Sequence, residues 1–246
     1  MKTPLRFALL AILLCLLLAA CGASETENML ATAEAFAAGG DYDQAISQYT
    51  ALIQEDAQSA AAYNQRGLAY YKKGEVESAL SDYNQAIQLD PKLSAAYLNR
   101  GKLYSAAGYM DLAIKDFDQA IQLDPKFAEA YNGRGVSYQA MGELAQAIDD
   151  FTQAIQLAPD NSDAYNNRGI AYLYQDDFLS ALSDFEQVVR LEPDSAGAYN
   201  NRALAYRNLG EKEKALADYK TALDLCGTNE TFCQQIHERL VELEGK

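Results

Sequence analysis

The sequence predicts an all-α array of two-helix units, and three observations predict it. A nine-residue phrase occurs five times without a gap, as AYNQRGLAY, AYLNRGKLY, AYNGRGVSY, AYNNRGIAY and AYNNRALAY, each 34 residues after the last. The same shift lines up columns of large aromatic and of small residues three or four positions apart, the spacing of one helix face. Glycine and proline recur at fixed points of the period, where helices end.

The chain opens on a segment that belongs to no fold. Lys2 and Arg6 give a positive start, and the uncharged run FALLAILLCLLLAA follows from Phe7 to Ala20. Fourteen residues are short for a membrane span, which needs about 20, and fit a signal-peptide core. The run closes on LAAC, Leu18 to Cys21, which resembles the lipobox of bacterial lipoproteins. That resemblance implies a signal peptide over 1–20, lipidation of Cys21 as the mature amino terminus, and a short tether over 21–27. Gly22 in place of Asp implies the outer membrane if the cell has one. The expected location is thus the cell envelope, lipid-anchored on the extracytoplasmic side.

Removal of 1–20 takes away two bases and no acid, so 35 acids face 18 bases in the mature chain, a net charge of −17. Such a surface repels nucleic acid and anionic headgroups, so attachment would rest on the lipid.

Along the period, aromatic residues fill three columns. These run Tyr63, Tyr97, Tyr131, Tyr165, Tyr199; then Phe36, Tyr70, Tyr104, Tyr138, Tyr172, Tyr206; then Tyr49, Tyr83, Phe117, Phe151, Phe185, Tyr219. Small residues fill others, among them Gly67, Gly101, Gly135, Gly169, Ala203 and the column Ala45 through Ala215. Large side chains on one helix opposite small ones on the next allow close interdigitation. Gly74, Gly108, Gly142 and Gly210 mark the end of the first helix, and Pro91, Pro125, Pro159 and Pro193 the end of the second. Ser94, Ser162 and Ser195 are expected to cap the next helix.

These residues are identified as tetratricopeptide repeats, a family match that covers nearly the whole mature chain. The resemblance implies a right-handed superhelical solenoid: six units over 28–229 and a C-terminal capping helix over 230–246. The first unit departs from the pattern, with Met29 in the tyrosine column and Ala57 in the proline column. Terminal repeats are often atypical because one side lacks a neighbour.

Two polar columns accompany the core. Arg66, Arg100, Arg134, Arg168 and Arg202 form one, and Asp82, Asp116, Asp150, Asp184 and Asp218 the other. The first unit lacks both, with Thr32 and Gln48, so the two are expected to pair, most simply within a repeat; antiparallel helices would also let each Asp reach the arginine of the following repeat. The face opposite the tyrosine and glycine columns presents Asn64, Leu68, Tyr71, Asn99, Lys102, Asn132, Val136 and Gln139. It continues with Asn166, Asn167, Ile170, Leu173, Asn200, Asn201, Leu204 and Arg207. In this family the first helices line the concave surface, so these residues are the expected peptide-binding groove. An amide offers donor and acceptor together and can follow a peptide backbone whatever its side chains.

Chemistry is sparse. His237 is the single histidine, which leaves no Ser–His–Asp, Cys–His or multi-histidine metal arrangement to build. The carboxylates belong to repeating columns, and Asp176–Asp177, which breaks the glycine column, reads as a solvated turn. No enzyme, cofactor or metal is expected. Cys226 and Cys233 remain after Cys15 leaves and Cys21 is lipidated. On one continuous helix their Cα atoms would lie roughly 10 Å apart, too far to bridge. Gly227 breaks that helix, so a disulfide is expected.

The function expected is a membrane-anchored interaction scaffold of the bacterial envelope, holding an extended peptide or a partner protein. A lipoprotein that binds a small ligand in the same groove is the alternative. The carboxylate clamp of chaperone adaptors does not fit, because Ala95, Glu129 and Asp163 stand where its lysine would be.

Overall fold

The computed structural model describes residues 28–245. The expected signal peptide over 1–20, the expected lipidation site Cys21 and the expected tether over 21–27 lie outside the described residues. Among those described there is no strand; all regular structure is helical.

The first pair is α1 (28–38) and α2 (Tyr42–Glu55). Then come α3 (Ala60–Lys73) with α4 (Val76–Leu89), α5 (Ser94–Ala106) with α6 (Met110–Leu123), and α7 (Ala128–Ala140) with α8 (Leu144–Leu157). The series continues as α9 (Ser162–Tyr174) with α10 (Phe178–Leu191) and α11 (Ala196–Asn208) with α12 (Lys212–Leu225), closed by α13 (Glu230–Glu244). The chain forms two compact units, the first ending at Leu103 and the second beginning at Tyr104. Within the first, α3 packs on both α2 and α4; within the second, every helix from α6 to α13 packs on its chain neighbour.

The punctuation works as the residue chemistry requires. Gly74, Gly108, Gly142 and Gly210 have φ of 78–86°, the left-handed region that an L side chain enters only at a cost. In the fifth repeat Asp176 holds that position at φ 58°. The second helices of repeats two to five end at Leu89, Leu123, Leu157 and Leu191, two residues before each proline. The capping serines need a correction. Ser195 caps α11, accepting from the Ala198 amide, but Ser94 and Ser162 are already the first helical residues. The cap lies one position earlier, where Asn161 accepts from the Ala164 amide and Ser59 from the Ala62 amide. An N-cap side chain must sit outside the helix to reach the third amide beyond it.

The third aromatic column forms the core: Tyr49, Tyr83, Phe117, Phe151, Phe185 and Tyr219 are all buried. The glycine column makes room for it. A Cβ on Gly67 would lie 2.8 Å from Tyr83, on Gly135 2.7 Å from Phe151, and on Gly169 2.6 Å from Phe185. In the first unit a cluster around Tyr49, Leu52 and Ile53 takes in Met29 and Phe36, so the atypical repeat still shares the core. At the other end, Ile236 and Leu240 of α13 cover Tyr219 and Ala222. Gly227, at φ 63°, turns the chain back, and Asn229 caps α13 by accepting from the Phe232 amide. Cys226 and Cys233 are joined across that turn, with Cα atoms 5.6 Å apart.

Candidate functional site

The arginine column is the hub of each repeat. Arg66, Arg134, Arg168 and Arg202 each make a bidentate pair with the aspartate sixteen residues on, in the second helix of their own repeat, with N–O distances of 2.7–2.8 Å. The sequence did not reveal the other end of the guanidinium. Nη1 reaches sixteen residues back, to Thr50 from Arg66, Asn84 from Arg100, Asp118 from Arg134 and Thr152 from Arg168. One side chain thereby ties the second helices of consecutive repeats. The signal was a further polar column, Thr50, Asn84, Asp118 and Thr152.

The two half-buried tyrosine columns now have a role as well. Arg134 lies over Tyr131 at 5.6 Å and Tyr138 at 5.9 Å, and Arg66, Arg168 and Arg202 sit between equivalent pairs. Tyrosines three before and four after an arginine share its helix face, and their ring faces attract the cation. Burial pushes the Asp150 and Asp184 carboxyls up, while Arg134 and Arg168 opposite pull them partway back. Pairing holds the arginines charged, with pKa values raised chiefly by the hydrogen bonds to their aspartates. Such pairs fix register more than they stabilise.

The asparagines turn out to bond to one another. Asn99 donates to Asn64 at 3.0 Å, Asn167 to Asn132 at 3.2 Å, and Asn201 to Asn166 at 2.8 Å. In each case the donor is 35 residues after the acceptor, on the first helix of the next repeat. Where that donor position holds Gly133, the acceptor position holds Leu98, so the ladder breaks on both sides at once. At the far end α13 stands in for a seventh repeat: Arg239 donates to Asn200 at 2.6 Å.

Asn64 and Asn200 are consequently buried, at 4% and 5% exposure, and are corrected from lining residues to structural ones. Asn99, Asn132, Asn166, Asn167 and Asn201 are half-buried. Leu68 and Tyr71 in the first unit share that state, as do Gln139, Ile170, Leu173, Leu204 and Arg207 in the second; Lys102 and Val136 are exposed. Two depressions open beside these residues. One of about 240 Å³, in the first unit, is lined by Gln65, Leu68, Lys72 and Tyr42. The other, of about 190 Å³ in the second, is lined by Asn166, Asn201, Asp163 and Glu192.

Among the described residues no group of three or more His, Cys, Asp or Glu is placed to hold a metal ion. No described helix is long and apolar enough to cross a membrane.

Paired antiparallel helices, stacked within each unit so that first helices of consecutive repeats share a polar face, define a helical-repeat scaffold for protein–protein interaction. Family profiles described as TPR repeat match residues 33–74, 67–108 and 106–142, and profiles described as tetratricopeptide repeat match 128–161, 151–183 and 168–240. The chain belongs to the tetratricopeptide-repeat family. No curated protein matches it in sequence. Among solved structures, MamA is 29% identical, with a TM-score of 0.59 over 64% of this chain and 92% of that one. YrrB, described as a TPR protein with an unusual peptide-binding site, is 22% identical, with a TM-score of 0.61 over 77% of this chain and 97% of that one. PilW, described as a widely conserved type IV pilus biogenesis factor, is 17% identical with a TM-score of 0.78, covering 86% and 97%. The last two likenesses are of fold alone.

Proposed function

We propose that the protein is a lipid-anchored scaffold of the bacterial cell envelope that holds an extended peptide segment of a partner protein on its first-helix faces. The observation that carries the reading is the paired asparagine ladder. Each pair spends one N–H and one lone pair, and an amide has two N–H groups and two lone pairs. The remaining groups are held in fixed orientation by the neighbour, so a peptide backbone meets amides that lose little rotamer freedom on binding. Half-buried Ile170, Leu173 and Leu204 and exposed Val136 lie beside them as apolar contacts in the second unit. YrrB, the relative described as binding peptide, supports this use of the fold.

The anchor rests on the sequence of residues 1–21 and on the acidic mature chain, whose net charge of −17 disfavours anionic lipid. A tether of about six residues would reach roughly 20 Å, keeping the repeats near the bilayer. PilW, described as a type IV pilus biogenesis factor, is consistent with this placement.

Crosslinking in cells, detergent solubilisation and capture of the chain test both halves. Val136→Lys with Gln139→Lys puts two charges on the face without touching the ladder, and should abolish recovery of the captured partner while circular dichroism stays unchanged. Full recovery would remove the first-helix face from consideration. Cys21→Ala should release the chain from membranes, and retention after that substitution would refute the anchor.

A further inference from the structure

The second unit carries a surface that the first-helix face does not use. At the turns between first and second helices of repeats three, four and five, large apolar side chains stand in solvent. Tyr109 is 61% exposed, Leu112 43%, Met141 47%, Tyr174 69% and Leu179 70%. Each lies in the turn or within two residues of a helix end beside it, so repetition of the unit places them along one edge. Isolated exposed apolar residues are ordinary, but these five fall at three successive turns, though at different positions of the 34-residue period. The turns of repeats two and six are instead mostly charged. Repeat two carries Val76 among Lys72, Lys73, Glu75 and Glu77, and repeat six has Glu211, Lys212, Glu213 and Lys214. There the charges neutralise locally, Lys73 on Glu75 and Asp43, and Lys214 on Glu211.

The apolar turns have acids instead. Asp111, Glu143, Asp176 and Asp177 are exposed at the same three turns, and 107–112, 140–145 and 174–179 contain no lysine or arginine. Asp176 occupies the left-handed position that glycine fills in repeats one to four and six, so a carboxylate is kept there at a conformational cost.

We infer that this edge docks a basic amphipathic segment of a partner protein, whose apolar residues cover Tyr109, Met141, Tyr174 and Leu179 and whose lysines or arginines meet the carboxylates between them. Charge complementarity selects this occupant. A second copy of the chain would bring its own acids to the edge, and an anionic bilayer would repel it. The surface is distinct from the first-helix face, so it holds or fails independently of the groove.

The probe is a designed fourteen-residue amphipathic helix of leucine and lysine, added to the full chain in detergent, with hydrogen–deuterium exchange read at the three turns. Protection at 107–112, 141–144 and 174–179 is expected. Raising ionic strength from about 0.1 to about 1 M shortens the Debye length from about 10 to about 3 Å, and should raise the half-protecting concentration at least tenfold. Tyr174→Ser with Leu179→Ser, both largely solvent-exposed, should raise it tenfold or more and leave the rest of the exchange map unchanged. Equal protection by a leucine–glutamate peptide, or by a serine–lysine peptide, would overturn the inference. Protection without peptide would overturn it too, in favour of the membrane if it needs phosphatidylcholine vesicles and of self-association if it rises with protein concentration.

Discussion

Substituting Arg134 and Asp150 by leucine, singly and together, tests whether the arginine hub specifies register or supplies stability. The Asp150 side chain is 7% exposed and the Arg134 side chain 20%. Arg134→Leu strands the carboxylate in the core, where loss of one partner costs about 3 kcal/mol. Asp150→Leu strands the arginine less severely, because Asp118 still accepts from Nη1, so about 2 kcal/mol is expected. The double variant removes both charges but also the stacking on Tyr131 and Tyr138, which puts it at about 2 kcal/mol and the coupling near 3 kcal/mol. Urea unfolding followed by circular dichroism, with the slope checked for each variant, gives these values. The Arg134→Leu variant has a pH signature as well. Burial already pushes the Asp150 carboxyl up, and without Arg134 nothing pulls it back. Its folded pKa then lies further above the unfolded one, so the native state binds the proton more tightly. The deficit therefore shrinks as pH falls through the folded pKa towards the ordinary carboxylate value. Additive single effects, or coupling to Asp118 as strong as to Asp150, would refute the reasoning.

Three further outcomes are expected. Tyr219→Phe should stabilise by about 1 kcal/mol in thermal unfolding, because its buried hydroxyl has no hydrogen-bond partner. Gly169→Ala should destabilise by about 2 kcal/mol, measured the same way, since the new Cβ would fall 2.6 Å from the Phe185 ring. Reduction of Cys226–Cys233, which closes an eight-residue loop, should cost on the order of 2 kcal/mol. Hydrogen exchange should show that loss concentrated in α13.

The helix order was legible because every unit solves the same packing problem, and a solution repeated at 34 residues stands out from positions free to vary. The pairing of Arg134 with Asp150 was legible for a related reason, as both columns are missing together in the first repeat. Its second bond, to Asp118, was hidden because Thr50, Asn84, Asp118 and Thr152 share polarity but no residue type. Asparagine identity was visible and its use was not. The face chosen for Asn64 follows from helix phase, but burial at 4% depends on how closely the next first helix approaches, which phase does not contain. Exposure of Tyr174 and Leu179 was hidden for the same reason: an apolar residue near a helix end reads as core until the neighbours are placed.

The asparagine ladder also has a genetic consequence. Each bond joins an acceptor to a donor 35 positions later, so both halves travel in any copied 34-residue block whose own two positions are asparagine. Repeat five, with Asn166 and Asn167, is such a block. Tandem duplication of it sets the second copy's donor beside the first copy's acceptor, and the lengthened array closes without a new mutation. Repeat three, with Leu98 and Asn99, is not: its duplicate would offer an amide to a leucine. The chain can therefore grow readily at repeats five and six and poorly at repeat three, and Arg239 on α13 can donate to whichever repeat ends up last provided that repeat carries asparagine where Asn200 now stands.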